Sequence, residues 1–380
     1  MVVSKHILGV NSYARGKTKI WVTVMVRVRV TVMVRVRVTV MVTVMVNNTF
    51  TQQSKHYDNT RIADYKKCPR SYFIRHTLGW TTVGSSKAPA LVFGSSWHAG
   101  MDAIWAGASQ QMKASSTLDT DSLVDSALQA FELQWTDDGF EYNLSMEELD
   151  ALAPRTPGIA HEMFHNYVIH HERLLANAKV ISIEQPLAVP FPELTDTWYV
   201  GRLDKVIEQN GQVTILEHKT TTAYAISGQF QRDYCDSWYA APQIKGYQFA
   251  GTLYYPKLQS VWVDAALVHK KVHDAFKFIP VSHSWPLLQE WVYDTKEWII
   301  RIQRDESTYE NHRELTQGNF PRNEDSCFGK YGTCPFLDIC RSVSDPSKLT
   351  EVPAGYVQER WEPFDTLGLD RLITTDTTGE

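Results

Sequence analysis

Residues 200–220 read VGRLDKVIEQNGQVTILEHKT, from Val200 to Thr220, with Asn210-Gly211 between two runs that alternate apolar and polar residues. That alternation is the period-2 signature of a half-buried strand. Asn-Gly between two such runs marks a tight hairpin, because a type I′ turn needs positive φ at both central residues and these two types tolerate it. With Asn210 and Gly211 as the loop, paired positions sum to 421, so Gln209 faces Gln212, Val206 faces Ile215 and Asp204 faces Glu217.

This register has a chemical consequence. Directly opposed residues place their Cβ atoms roughly 4.5–5.5 Å apart. Two carboxylates at that spacing repel unless a cation lies between them, and hard divalent ions such as Mg²⁺ prefer oxygen ligands. Lys219 lies two residues beyond Glu217 and shares its face. Two carboxylates and a lysine on one face suit metal-assisted phosphodiester hydrolysis, in which a cation polarises the phosphate and lysine offsets developing negative charge. The alternative is an exposed hairpin face on which Lys219 neutralises Glu217.

Outward from the hairpin, residues 179–190, 198–209 and 212–220 read as consecutive strands. Helical spacing covers 58–78, 93–107, 121–135, 157–178, 243–255 and 284–314, with a buried strand at 260–269. The order predicts an α/β fold with a mixed central sheet flanked by helices. Residues 1–49 form a low-complexity extension, artefactual or dispensable, with valine at every second position from 22 to 46. Such a repeat far exceeds a normal strand. The expected organisation is a domain over 50–345, with a helical insert at about 100–178 and a core at about 179–270, followed by a polar tail, 346–380.

Composition narrows the class. Hydrophobic content of 43% and charged content of 21% are ordinary for a globular chain, and no long uncharged apolar run predicts a membrane span. No secretion signal is evident, so a cytoplasmic protein is expected. Residues 1–49 carry eight basic residues and no acid, leaving 30 basic against 43 acidic residues elsewhere, about −13. Contact with DNA therefore calls for a local basic groove or a bound cation. Neither a dinucleotide-binding GxGxxG nor a Walker A motif is present, so a nicotinamide or flavin redox role lacks support and any ATPase action falls to another chain. The five cysteines, Cys68, Cys235, Cys327, Cys334 and Cys340, are odd in number, which favours metal or cluster ligation over a disulfide framework.

Asp204 followed by Glu217-His218-Lys219 resembles the D…(D/E)-x-K core of PD-(D/E)XK nucleases, with Leu203 where many members carry proline. Gln243 and Tyr247 resemble the Q-x3-Y motif of the RecB-like branch, and share a helical face. His98, in the stretch Phe93-Gly94-Ser95-Ser96-Trp97-His98, resembles that branch's upstream histidine. The resemblance implies a restriction-endonuclease-like core and a DNA nuclease, an exonuclease more than an endonuclease. It implies Asp204, Glu217, Lys219, Gln243 and Tyr247 as catalytic residues. It implies His98, Asp204, Glu217 and the backbone carbonyl of His218 as ligands for Mg²⁺ or Mn²⁺. Glu184, on the preceding strand, reads either as a surface acid at the strand end or as a further group reaching the same site.

Cys68 with Cys327, Cys334 and Cys340 resembles the iron–sulfur staple of helicase-associated and CRISPR-associated RecB-like nucleases, implying a 4Fe–4S cluster that joins the two ends of the fold. Structural zinc and unligated thiols are the alternatives, and Cys235 has no assigned role. Tyr65, Tyr72 and Phe73 with Lys66, Lys67, Arg70 and Arg75 read either as core and solvated faces of a helix or as a stacking surface for single-stranded DNA. The implied partners are DNA and a helicase, recombination or CRISPR protein, in repair, recombination or phage DNA processing. The other functional class is a non-catalytic DNA-binding or scaffold module of the same fold.

Overall fold

A computed structural model describes residues 50–373 apart from 84–87, 224–228, 330–331 and 361; the valine repeat lies outside the described residues. Strand β1 (Lys55–Tyr57) leads into helix α1 (Asn59–Lys67), whose first N–H groups at Thr60 and Arg61 donate to the Asp58 carboxylate. The helix expected over 58–78 breaks at Cys68, which is extended at φ −161° and ψ 108°. The cause is Pro69, whose ring disfavours helical geometry in the preceding residue. One helical turn, Pro69–Tyr72, and a π-helical turn, Phe73–Thr77, follow before β2 (Trp80–Thr82).

The helical insert comprises α2 (Pro89–Ala114), α3 (Thr120–Asp137), α4 (Met146–Leu152) and α5 (Pro157–Asn177). Next come β3 (Lys179–Pro190), β4 (Thr197–Gln209), β5 (Gln212–Thr221), α6 (Arg232–Ala240) and α7 (Pro242–Tyr254). The chain continues through β6 (Leu258–Leu267), β7 (Phe276–Val281), α8 (Trp285–His312), α9 (Leu337–Ser342) and β8 (Tyr356–Gln358).

The central sheet runs β1-β4-β5-β6-β7, with β3 also on β4. Pairings β1–β4 and β5–β6 are parallel, while β3–β4, β4–β5 and β6–β7 are antiparallel. This is the mixed, helix-flanked sheet expected. The hairpin register is confirmed from Gln209–Gln212 to Lys205–Leu216, and Asn210 and Gly211 take φ 53° and 77° as the turn demands. Strands β1 and β7 were not anticipated: β1 has three residues, and β7 carries Pro280, which signals against a strand.

Strand β4 is shared unevenly. Tyr199 pairs with Val189 of β3 on one edge and with Tyr57 of β1 on the other, whereas β5 joins that second edge only from Lys205 onward. Residues 200–204 have no ladder partner on this edge, so a seam opens between β4 and β5.

One sheet face packs against α2, α3 and α5 through Trp97, Phe131, Phe164, Ile207 and Leu216, all buried. Trp97 and Phe164 stack with centroids 4.5 Å apart. Each such side chain contributes about 1.5–3 kcal/mol by leaving water, which fixes α2 against the sheet. Helix α7 lies on the other face, where Gly251 approaches Ile215. The C-terminal segment departs from the polar tail expected. Strand β8 pairs with β2, and Phe364 and Leu369 are buried against Ala188, Trp198 and Val200. Phe364, Leu367, Leu369 and Leu372 follow one another at intervals of three, two and three, too short a run to fix a strand or helix period, which is why the packing was not legible.

Candidate active site

Alternation along β5 turns Glu217 and Lys219 toward the α7 face and His218 toward the α2/α5 bundle. Lys219 Nζ donates to Glu217 Oε1 at 2.6 Å. The ladder stops one residue short of the expected Asp204–Glu217 pair. Instead the Asp204 carboxylate turns into the seam and accepts the backbone N–H of His218 at 2.8 Å. Asp204 and Glu217 are therefore neighbours across a gap rather than rungs of a ladder. Helix α2 reaches the same gap, and His98 Nδ1 lies 3.3 Å from Asp204 Oδ2.

These groups line one cleft of about 720 Å³, together with Gln243 and Tyr247. Gln243 Nε2 donates to the Tyr247 hydroxyl at 3.1 Å, one turn along α7. Helix α7 approaches closely because residue 246 is glycine: a Cβ there would stand 2.1 Å from Tyr199 Oη. All six side chains singled out from the sequence, His98, Asp204, Glu217, Lys219, Gln243 and Tyr247, thus meet. Glu184 also lines the cleft, at a left-handed φ of 50°, and its carboxylate pairs with Arg202.

The two carboxylates differ sharply in proton affinity. Burial raises the Asp204 carboxyl, but the adjacent His98 and Lys219 outweigh it and hold it well below the usual carboxylate range. Burial and the neighbouring Asp204 charge push Glu217 up to about 7, against the pull of Lys219. Burial disfavours the charged form of His98, yet Asp204 lifts it above its ordinary value. The pair behaves as two like charges of which one readily keeps a proton.

A divalent cation fits this arrangement. Glu217 Oε2 is buried with no hydrogen-bond partner, a state that costs about 1–3 kcal/mol and that a cation relieves. The N–H and C=O of a strand residue leave by the same edge, so the His218 carbonyl also points into the seam beside Asp204. Among the described residues, no three His, Cys, Asp or Glu side chains are gathered to hold a metal ion by themselves. The set that could hold a cation is a mixed one of carboxylate, the His98 imidazole, main-chain carbonyl and water.

Sequence reasoning missed Asp102, Lys205 and Asp264. Asp102 accepts from Lys205 Nζ at 2.6 Å, and Lys205 is fully buried. Its spacing of four from His98 on α2 was the available signal. Asp264 interrupts the apolar run of β6, and a buried acid requires a partner. The aromatic–basic stretch at 65–75 resolves as core: Tyr65, Tyr72 and Phe73 are buried, and Tyr72 donates to Glu306 at 2.8 Å. Cys68, Cys327, Cys334 and Cys340 border a single cavity of about 200 Å³, flanked by Arg322 and Arg341. Cys235 lines a different cavity, beside β7.

The family model of the PD-(D/E)XK nuclease superfamily matches residues 59–341. The chain belongs to the PD-(D/E)XK nuclease superfamily. Among solved structures it is similar to a provisionally named exonuclease from Eubacterium rectale, at 15% identity and a TM-score of 0.43, covering 88% of this chain and 97% of that one. An alkaline exonuclease from Laribacter hongkongensis is similar at 12% identity and a TM-score of 0.26, covering 54% and 91%. No curated protein matches. In this PD-(D/E)XK chain Asp204, Glu217 and Lys219, the residues whose order resembles the family's acids and lysine, line one cleft. Among the described residues, no helix is long and apolar enough to cross a membrane.

Proposed function

We propose that the protein is a Mg²⁺- or Mn²⁺-dependent deoxyribonuclease of RecB-like type, acting as an exonuclease in DNA repair, recombination or phage DNA processing. The observation that carries this reading is the partnerless, buried Glu217 Oε2 beside Asp204 and Lys219 in an open cleft. Asp204, Glu217, His98 and the His218 carbonyl would hold the cation, which when bound supplies Lewis acidity toward phosphate and water. Lys219 is positioned to orient the attacking water and to offset charge on the phosphate. Gln243 and Tyr247 fix the α7 wall against which Lys219 and the DNA strand rest.

The test is cleavage of end-labelled single- and double-stranded DNA with Mg²⁺, Mn²⁺ or EDTA, by the wild type and by Lys219→Ala. Cation-dependent cutting that disappears in the variant is expected, and product lengths over time separate exonuclease from endonuclease. A folded wild type that binds DNA without cutting would replace this reading with the non-catalytic DNA-binding module, working with a helicase or CRISPR partner.

Cys68, Cys327, Cys334 and Cys340 border one cavity, and we propose that a 4Fe–4S cluster held there would tie the α1 end of the chain to the segment around α9. Arg322 and Arg341 beside them suit the negative charge of a thiolate-bound cluster. Iron and acid-labile sulfide analysis of anaerobically purified protein tests this, with zinc analysis in parallel. Zinc without iron would establish the alternative.

A further inference from the structure

The middle residue of the Glu217-His218-Lys219 motif is itself unusual. His218 is fully buried, on the face of β5 away from the cleft. Its register partner on β6 is Asp264, also buried, and His218 Nδ1 lies 2.9 Å from Asp264 Oδ2. The Tyr167 hydroxyl, from α5, donates to the same Asp264 oxygen at 2.6 Å. Their surroundings combine apolar Leu216, Ala266 and Trp105 with two further buried polar groups, Lys205 near His218 and His171 near Asp264. None of His218, Asp264 and Tyr167 lines the cleft. A histidine and an aspartate in such a place lose hydration without touching substrate, so an apolar pair would serve packing better.

What they do touch is the back of one peptide. The His218 N–H holds Asp204 at 2.8 Å, and the His218 carbonyl leaves by the same edge. The ring leaves the opposite face of the strand, where it makes an ion-pair contact with Asp264 of β6 without hydrogen-bond geometry at either ring nitrogen, and Asp264 in turn accepts from Tyr167 of α5. Rotation of this peptide about the strand axis is thereby resisted from behind, in a seam where no β4 ladder bond resists it from the front.

We propose that Asp264 and Tyr167, acting through the His218 ring, are positioning residues that set the orientation of the His218 peptide and thus the cation affinity of the site. This inference rests on the nuclease reading above. Groups behind a ligand that fix its orientation commonly change metal affinity by about 10–100-fold when altered.

The experiment is calorimetric titration of the full chain with Mn²⁺, for the wild type, Tyr167→Phe, Asp264→Asn and the packing control Ile207→Val. Unfolding temperature is measured on the same samples. Tyr167→Phe and Asp264→Asn are expected to weaken Mn²⁺ binding by about tenfold or more, while Ile207→Val lowers the unfolding temperature without moving affinity. In cleavage assays the two variants should need more Mn²⁺ for half-maximal rate, with the rate at saturating Mn²⁺ largely kept. Wild-type affinity in both variants overturns the clamp while leaving the nuclease reading intact. A wild type that neither binds Mn²⁺ nor cuts DNA overturns both.

Discussion

Substituting Glu217→Gln in the metal-free protein should produce a stability gain that grows with pH. Glu217 is 1% exposed, so solvent screens it little. Its carboxyl ionises at about 7 in the folded chain against 4.5 when unperturbed. A carboxyl raised on folding adds no penalty below its unfolded value, where both states are protonated. Between the two values the unfolded state alone releases its proton, so stability falls as pH rises. The full penalty, about 3 kcal/mol, is present above pH 7. Glutamine has the shape of the protonated acid and cannot ionise. The difference in unfolding free energy between Glu217→Gln and wild type should therefore rise by about 2.5 kcal/mol between pH 5 and pH 8. Urea denaturation in EDTA at several pH values measures it. Taking the difference removes titrations common to both proteins, such as buried His171, whose value is lowered to about 4 and which has the opposite slope. Saturating Mn²⁺ should reverse the order at pH 8, because the ion binds only the folded wild type well. A difference that stays flat from pH 5 to 8 would refute the reasoning, since Glu217 would then be ionised throughout.

Other expectations follow from single contacts. Gly246→Ala forces a Cβ to within 2.1 Å of Tyr199 Oη, and should destabilise the protein by about 1–3 kcal/mol in chemical denaturation. Tyr199→Phe, which removes that oxygen, should recover part of the loss. His98→Ala removes the imidazole 3.3 Å from Asp204, and cleavage should slow roughly 100-fold at limiting Mn²⁺ and less at saturation. On the proposed cluster reading, Cys68→Ser should lower iron content, whereas Cys235→Ser, which alters a thiol at a different cavity, should leave it unchanged.

The hairpin was legible because its signals are local. Asn210-Gly211 specifies the turn, and the turn specifies the register back to Lys205 and Leu216. Where the ladder ends was not legible. That depends on β1 occupying the start of β4's edge, and three residues at Lys55–Tyr57 carry no periodic signal of their own. The acids and lysine were recoverable from their order along the chain. Asp102 and Asp264 left only weak signals, a helical spacing from His98 and an acid inside an apolar run, because each pairs with a group distant in sequence, Lys205 and His218. The burial of Phe364 and Leu369 against Trp198 is likewise a purely tertiary event.

That last contact bears on where this protein can be cut. The recognisable family region, residues 59–341, omits β1, β8 and the segment carrying Phe364 and Leu369. Yet β1 pairs with the start of β4, and Phe364 and Leu369 cover Trp198 and Val200 on that same strand. Asp204 lies only a few residues further along. A fragment trimmed to the family boundaries would keep Asp204, Glu217 and Lys219 while baring a sheet edge and an apolar patch on the strand that carries Asp204. The smallest portable unit therefore runs from about Phe50 to Leu372, the outer residues of that packing, and chimeras or domain swaps should be joined outside those limits.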